Sequence, residues 1–235
     1  MTYSQKSDLS GQVCIVTGAG GNLGRAVAID LAGRGARVVA TVRRASDKIE
    51  NENVSTEIVD LTDSDAVTPF VARILAEHGR IDALVNAAGG YRGGPTLGET
   101  PLDDWRVMRS VNLETALICC RAVLPGMVAG KHGRIVNIAS RAAVQPFGGA
   151  APYIVAKAAV ISLTEAVAAE TQGTGVTVNV ILPSVIDTPE NRAAMADADY
   201  SKWVSPEAIA KVVAWLISEP TGLVNGARIP VYGRA

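Results

Sequence analysis

Three side chains in the second half of the chain are of the types that move a proton to or from a substrate. Tyr153 and Lys157 are four residues apart, a spacing that places both on one face of a helix. A buried ammonium group beside a phenol stabilises the phenolate, so we expect Lys157 to lower the pKa of Tyr153. The hydroxyl of Ser140 lies upstream and is suited to polarising a carbonyl. Together they predict hydride transfer with protonation, provided that a nicotinamide cofactor binds.

A glycine-rich turn near the N-terminus indicates that such a cofactor binds. Residues 17–24 lie between an apolar run and a helical pattern. Glycines at this point let the backbone approach a pyrophosphate, and the amide groups and dipole of the following helix attract its charge. The residues of this turn that we assign to the cofactor are Gly18, Gly20, Gly21, Asn22, Leu23 and Gly24.

Further motifs follow the glycine-rich turn along the chain. They are Asn86-Ala87-Ala88-Gly89, Asn112, Ser140 and the pair Tyr153 and Lys157. In this order the motifs resemble those of the short-chain dehydrogenase/reductase family, and the resemblance covers residues 9–233. The chain departs from the family's Thr-Gly-x-x-x-Gly-x-Gly pattern at Asn22, which replaces the middle glycine. Asparagine is the non-glycine residue that best adopts a left-handed backbone, so we expect the change to be tolerated.

The resemblance implies a role for each residue of the catalytic set. Ser140 orients and polarises the substrate oxygen, and Tyr153 donates the proton. Lys157 lowers the pKa of Tyr153 and binds the ribose hydroxyls of the cofactor. Asn112 shapes a water relay to Lys157. Because all four residues are present, the resemblance implies an active enzyme.

The end of the second predicted strand bears on the choice between the two nicotinamide cofactors. A carboxylate there accepts hydrogen bonds from a 2′-hydroxyl, whereas a basic residue favours a 2′-phosphate. Val42 stands where NAD-dependent members of the family have aspartate, and Arg43 and Arg44 follow it. Because a guanidinium group binds phosphate through two hydrogen bonds, we expect NADP(H) to be favoured over NAD(H).

The resemblance implies further contacts along the cofactor. Asp60 and Leu61 would flank the adenine, and Thr188 would lie near the nicotinamide carboxamide. Ser184 replaces a family glycine, which places a hydroxyl near the nicotinamide ring. The full set of these contacts is Asp60, Leu61, Asn86, Ala87, Ala88, Gly89, Tyr153, Lys157, Pro183, Ser184, Val185 and Thr188.

A short flap, residues 189–204, is expected to cover the substrate. This segment is similar to the corresponding part of dihydropteridine reductases, although those enzymes generally lack the serine that is present here at position 140. We expect Met195, Tyr200 and Trp203 to close over a flat or apolar substrate, and Tyr91 to face the same pocket.

The motifs together predict a metal-independent carbonyl reductase or alcohol dehydrogenase that uses NADP(H) and acts on a small molecule. Two alternatives stay open. A reductase of C=N bonds, such as those of a quinonoid dihydropterin or an imine, is a close rival. A regulator that senses NADP(H) without turnover belongs to another class, and the intact catalytic set argues against it.

Apolar runs alternate with helical patterns along the chain, which is typical of an α/β fold. We expect strands at residues 13–16, 38–42, 54–59, 83–85, 134–138, 176–182 and 228–231, and helices at 23–32, 63–77, 111–129, 153–170 and 206–218. Thr62, in a capping box, and Ser205 are the expected caps of two of these helices. We therefore predict a single doubly wound parallel-sheet Rossmann domain over residues 1–235, with about seven strands and helices on both faces.

Composition narrows the classes of partner and compartment. The 235 residues carry a formal net charge of −1, which gives no electrostatic reason to bind nucleic acid or an anionic membrane. The polar segment at residues 1–10 lacks the apolar core of a signal peptide, so we expect none, and we expect no apolar stretch that approaches the length of a membrane span. The three cysteines fit neither a zinc site nor a disulfide framework, so we expect buried thiols and a cytoplasmic protein.

The predicted helices at 111–129 and 153–170 carry more small apolar residues than one sheet face covers. In the family these helices pair across a two-fold axis, and the last strand, here 228–231, supports a second interface. We expect a homotetramer, or at least a dimer through these helices.

Overall fold

A parallel sheet forms the centre of the computed structural model, which describes residues 8–218 and 222–234. Its strands are β1 Val13–Thr17, β2 Arg37–Val42, β3 Val54–Ile58, β4 Ala83–Asn86, β5 Gly133–Ile138, β6 Val176–Pro183 and β7 Arg228–Val231. The spatial order is β3-β2-β1-β4-β5-β6-β7, and each neighbouring pair is parallel. The prediction of a doubly wound parallel sheet of about seven strands is confirmed.

Helices cover both faces of this sheet. They are α1 Asn22–Ala32, α2 Ser64–His78, α3 Leu102–Arg109, α4 Thr115–Ala129, α5 Ala151–Glu170, α6 Pro189–Ala194 and α7 Pro206–Ile217. Side chains of α1 and α7 share one buried apolar cluster with alternate residues of the strands. Those of α2, α4 and α5 share a cluster on the opposite face. Burial on both faces explains why the strands read as nearly continuous apolar runs.

The helix expected at 111–129 begins earlier, at Leu102, and contains a π-helical turn, Ser110–Glu114, between α3 and α4. Apolar residues do recur at helical spacing in α3, but its charged residues make the segment polar on average, and the prediction missed this start. Its first turn carries Asp103 and Asp104, and its last turn carries basic residues, which complements the helix dipole.

Two expected caps have different outcomes. Ser205 caps α7, since its hydroxyl accepts a hydrogen bond from the amide of Ala208 at 3.2 Å. The prediction of Thr62 as the cap of α2 is wrong. Asp63 is the cap and accepts from the amide of Asp65 at 2.8 Å. The hydroxyl of Thr62 instead donates to Asp60.

Two helical stretches are long and apolar enough to span a membrane by length and composition alone. They are residues 102–129 and 151–170, so the expectation that no stretch approaches that length is wrong. Both stretches pack part of their surface onto the sheet, which is the ordinary reason for apolar composition in a helix of this fold. The three cysteines are buried with free thiols, as expected.

The sheet order places β1 next to β4, while the chain leaves these two strands toward opposite faces. Ligands of open α/β sheets bind beyond the carboxyl ends of the strands at such a point. The glycine-rich turn follows β1, and Asn86-Ala87-Ala88-Gly89 begins at the end of β4. The fold therefore brings two distant motifs together at this crevice.

Candidate active site

A cavity of about 880 Å³ opens beyond the carboxyl ends of β5 and β6. Ser140 and Tyr153 line it, and so do Tyr91, Met195 and Trp203, which were expected to face the substrate. The nicotinamide-end residues Pro183, Ser184 and Val185 also line it.

Ser140 is held by the turn that follows β5. Its Oγ accepts a hydrogen bond from the amide of Ala142 at 3.1 Å and so caps a short 3-10 turn. The same side chain lies close enough to Tyr153 to favour its phenolate and lower its pKa. The structure thus joins the two groups that were expected to meet at the substrate oxygen.

The pKa of Tyr153 is raised above its ordinary value, because burial deprives a phenolate of water. The nearby Ser140 side chain acts in the opposite direction and lowers the pKa, but its effect is smaller. The ring of Tyr91 stands edge-on to that of Tyr153, with centroids 5.1 Å apart. The prediction of a lowered pKa is therefore wrong for this structure, since desolvation of Tyr153 outweighs the groups that favour its charged form.

Lys157 is buried one helical turn along α5 from Tyr153. Its Nζ donates a hydrogen bond to the carbonyl oxygen of Ile138, the last residue of β5, at 2.9 Å. Burial lowers the pKa of Lys157 to about 8, because an ammonium group is poorly solvated there. The lysine is therefore oriented by the sheet itself.

Asn112 lies in the π-helical turn between α3 and α4. In a regular α-helix, the amide of residue 112 would bond to the carbonyl of Met108. Here the side-chain amide of Asn112 donates to the Met108 carbonyl at 3.0 Å, so this carbonyl keeps a hydrogen-bond partner in the widened turn. The side chain also donates to the carbonyl of Gly90 at 3.0 Å and accepts from its amide at 3.2 Å. This clamp fixes the strand-end loop after β4.

Gly89 lies where these groups converge. A Cβ atom on Gly89 would lie 2.7 Å from Oδ1 of Asn112 and 3.2 Å from Nζ of Lys157. The loop after β4 thus passes directly between the asparagine and the lysine, and only glycine leaves enough room. The structure brings together residues from α5, the π-helical turn and this loop.

The glycines after β1 allow the backbone of this turn to pack closely against itself and against the loop after β4. Gly18 has a left-handed backbone with a φ of +68°, and a Cβ there would lie 2.6 Å from Cα of Ala88. A Cβ on Gly24 would overlap the carbonyl oxygen of Gly18. Gly21 is the residue before the first turn of α1, so the amides of that turn face the crevice. These residues fit a dinucleotide.

The expected reason for Asn22 is wrong. Asn22 is the first residue of α1 rather than a left-handed residue. Its Nδ2 donates to Oε2 of Glu190, in the first turn of α6, at 2.7 Å. The asparagine therefore ties the glycine-rich turn to the flap, a contact that the sequence motif did not indicate.

The residues after β2 include an unexpected carboxylate. Val42 is buried, whereas Arg43 and Arg44 are exposed. Nε of Arg44 lies 3.3 Å from a carboxylate oxygen of Asp47, and a Cβ on Gly20 would lie 2.9 Å from the same oxygen. The position of Asp47 over the glycine turn was missed because no motif includes it.

The other expected cofactor residues lie along the same edge of the sheet. Thr188 caps α6 by accepting from the amide of Asn191 at 3.2 Å. Ser184 donates its hydroxyl to the carbonyl of Tyr232 at 2.8 Å. Buried Asn86 donates to Asn137 at 2.8 Å. Asp60 and the buried Leu61 follow β3. Leu23 and Ala87 pack against the apolar core. The amide of Ala88 donates a hydrogen bond to the hydroxyl of Thr17 at 3.1 Å.

Tyr200 is the one proposed substrate residue that does not line the cavity. Its ring packs against Trp203, with centroids 4.7 Å apart, and Arg192 lies 4.8 Å from its centroid. Its hydroxyl donates to the carbonyl of Ala196 at 2.9 Å. Tyr200 therefore stiffens the flap from within, and Asn191, which sequence reasoning missed, lines the cavity.

Comparison with known proteins agrees with this geometry. The description "short chain dehydrogenase" belongs to the family that matches residues 12–199. The chain is 35% identical over 243 residues to meso-2,3-butanediol dehydrogenase of Serratia marcescens, covering 95% of this chain and 94% of the relative. It is 31% identical over 239 residues to 3-oxoacyl-(acyl-carrier-protein) reductase FabG of Escherichia coli K12, covering 96% and 98%.

A solved structure has the same fold. The crystal structure of NAD+-bound xylitol dehydrogenase superimposes with a TM-score of 0.88, at 27% identity, covering 95% of this chain and 98% of that one. The family uses a nicotinamide cofactor and its members act on alcohols and ketones. The chain therefore belongs to the short-chain dehydrogenase/reductase family.

Proposed function

We propose that this protein is an NADP(H)-dependent reductase of ketones or aldehydes, which also runs in the reverse direction as an alcohol dehydrogenase. The observation that carries the proposal is the placement of Ser140 and Tyr153 together at the wall of the cavity, with Lys157 buried one turn away. The nicotinamide cofactor supplies hydride to the carbonyl carbon when bound.

The chain's own residues handle the oxygen and the proton. Ser140 donates a hydrogen bond that holds and polarises the carbonyl oxygen. Tyr153 gives its proton to that oxygen. Burial raises its pKa, so it holds the proton until hydride transfer gives the oxygen negative charge. The ammonium group of Lys157 stabilises the phenolate that remains. Asn112 holds the loop of Gly89 and Gly90 beside the lysine.

The preference for NADP(H) rests on Arg43 and Arg44 at the end of β2. Both are exposed, and the position of a specificity-determining aspartate is taken by buried Val42. Asp47 pairs with Arg44 and competes with a 2′-phosphate for it. Replacing Arg43 and Arg44 by alanine should therefore reduce the preference, and Asp47→Ala should increase it.

The test is a panel of ketones, aldehydes and alcohols, assayed by cofactor absorbance with NADPH and with NADH. Binding of 2′,5′-ADP and 5′-AMP by calorimetry tests the preference without turnover. Tighter binding of 2′,5′-ADP supports the NADP(H) proposal, and equal or weaker binding contradicts it. No turnover of any carbonyl compound with either cofactor would contradict the proposed activity.

We place the protein in the cytoplasm, as a homotetramer or at least a dimer through α4 and α5. Exposed Leu117 on α4 and Val155 on α5 support such a contact, because large apolar side chains on helix surfaces favour burial between subunits. A monomer at micromolar concentration in light scattering would contradict the assembly.

A further inference from the structure

Arg141 is a cation of the cavity wall that is held by neutral groups. Arg141 follows Ser140 directly and lines the cavity with Ser140 and Tyr153. Its Nε donates to Oε1 of Gln145 at 2.6 Å, and its guanidinium carbon lies 5.1 Å from the ring centroid of Tyr232. Across residues 8–218 and 222–234, no acidic side chain forms an ion pair with it.

The ring of Tyr232 that contacts Arg141 is itself held in place by hydrogen bonds. The carbonyl oxygen of Tyr232 accepts the hydroxyl of Ser184 at 2.8 Å, and the amide of Ser184 donates to Val231 in β7. The aromatic ring therefore rests on the edge of the sheet. A guanidinium group that stacks on a fixed ring and donates to one amide oxygen loses little freedom when it binds a ligand.

The other charges of the cavity wall neutralise each other. Lys202 and Asp199 both line the cavity, and their charged atoms lie 3.8 Å apart. Asp199 also accepts the hydroxyl of Ser201 at 2.6 Å, which holds the pKa of its carboxyl below the ordinary value. Among the charged side chains that line the cavity, the one left uncompensated is therefore Arg141.

We propose that Arg141 binds a carboxylate of the substrate, so that the enzyme acts on a carbonyl compound that also carries a carboxylate, a keto acid. This inference rests on the proposed function of Ser140 and Tyr153. A guanidinium group has five N–H donors, and the terminal nitrogens of Arg141 provide the two parallel donors that a carboxylate accepts. Because Arg141 and Ser140 line the same cavity, a single small molecule that carries both a carboxylate and a carbonyl would contact both.

The rest of the cavity suits the remainder of such a molecule. Phe147, Met195 and Trp203 line it with apolar surface. A short aliphatic or aromatic substituent would bury against these side chains, while Arg141 and Ser140 hold the two oxygen-bearing groups. Charge selects the substrate at one end, and apolar contact selects it at the other.

The experiment compares keto acids with their uncharged methyl esters. The substrates are 2-oxobutanoate, acetoacetate and levulinate, each assayed with its ester in the presence of the preferred cofactor. Wild type should reduce at least one acid with a higher kcat/KM than its ester. Arg141→Gln should lower kcat/KM for that acid about 10- to 100-fold, the range for a lost hydrogen bond to a charged group, and leave the ester within about twofold.

Two further variants sharpen the result. Lys202→Gln removes the paired cation of the same wall and should leave the preference for the acid intact. Arg141→Lys keeps the charge but loses the planar pair of donors, so it should restore part of the activity lost in Arg141→Gln. Thermal unfolding of each variant establishes that it is folded.

Binding without turnover separates this inference from the proposed activity. Butanoate and pentanoate have no carbonyl to reduce, and saturation-transfer NMR should show weaker binding to Arg141→Gln than to wild type. That result supports the carboxylate site even if no carbonyl compound is reduced. Equal reduction of acids and esters by wild type, equal losses for both in Arg141→Gln, or a loss of acid preference in Lys202→Gln would each overturn the inference and leave the reductase proposal standing.

Discussion

Asn22 and Glu190 are 168 residues apart in the chain, yet the side-chain amide of one donates to the carboxylate of the other at 2.7 Å. Asn22 begins α1 at the glycine-rich turn, and Glu190 lies in the first turn of α6 in the flap. The hydrogen bond therefore connects the turn suited to the pyrophosphate with the segment that covers the cavity.

Breaking this connection should loosen the flap. In Glu190→Ala we expect amide hydrogen exchange in α6 to become about 3- to 10-fold faster, which corresponds to the net worth of one hydrogen bond. Exchange measured by mass spectrometry checks this. Asn22→Gly should have the same effect, and Glu190→Gln, which keeps an acceptor oxygen, should stay close to wild type. Unchanged exchange in both Glu190→Ala and Asn22→Gly would show that other contacts hold the flap.

Removing the proton donor should separate chemistry from binding. Tyr153→Phe should reduce turnover at least about 100-fold, the usual scale for a general acid, and leave cofactor affinity within about threefold. Steady-state kinetics and cofactor titration measure the two effects. Tyr200→Phe is the matched control, since Tyr200 lies outside the cavity, and it should keep near wild-type turnover. Tyr153→Phe with wild-type turnover would rule out Tyr153 as the acid.

The buried Lys157 should make stability depend on pH. Its pKa falls from the ordinary 10.5 to about 8 in the folded protein, so between these values the unfolded chain binds more protons. Stability of wild type relative to Lys157→Met should therefore rise as pH increases from about 8 to about 10.5, by on the order of 3 kcal/mol in total.

Urea unfolding of both proteins at several pH values measures this difference. Lys211→Met removes an exposed lysine of α7 and controls for the loss of one charge. A difference between wild type and Lys157→Met that stays constant, or that falls, across this range would contradict a desolvated Lys157.

Close packing at the glycine-rich turn should make replacement of Gly24 cost more unfolding free energy than replacement of Gly21. A Cβ on Gly24 would overlap the carbonyl oxygen of Gly18, whereas a Cβ on Gly21 would lie 3.5 Å from that atom, an ordinary contact. Gly24→Ala should therefore lose about 2 kcal/mol of unfolding free energy, and Gly21→Ala much less. Chemical denaturation compares them. Equal losses in the two variants would show that the turn adjusts at no cost.

Residue types and spacing were sufficient to predict the fold class, because the strands and helices that define it leave local patterns in the sequence. Apolar runs such as those of β1 and β5 reflect burial on both faces, and helical periodicity between them implies parallel strands. The start of α3 was missed although Leu102, Trp105 and Met108 recur at helical spacing, because the charged residues between them make the segment polar on average. The cap of α2 was misplaced by one residue because neighbouring Thr62 and Asp63 are both good caps.

The residues available for chemistry could be identified before the fold was known, since Ser140, Tyr153, Lys157 and the glycines are recognisable from type, order and spacing. The environment of these residues depends on how the helices and strands pack together. Burial raises the pKa of Tyr153 and lowers that of Lys157, and burial is set by every element packed around them. Contacts such as Asn22 with Glu190, or Arg141 with Tyr232, join residues far apart in the chain, so no local pattern contains them.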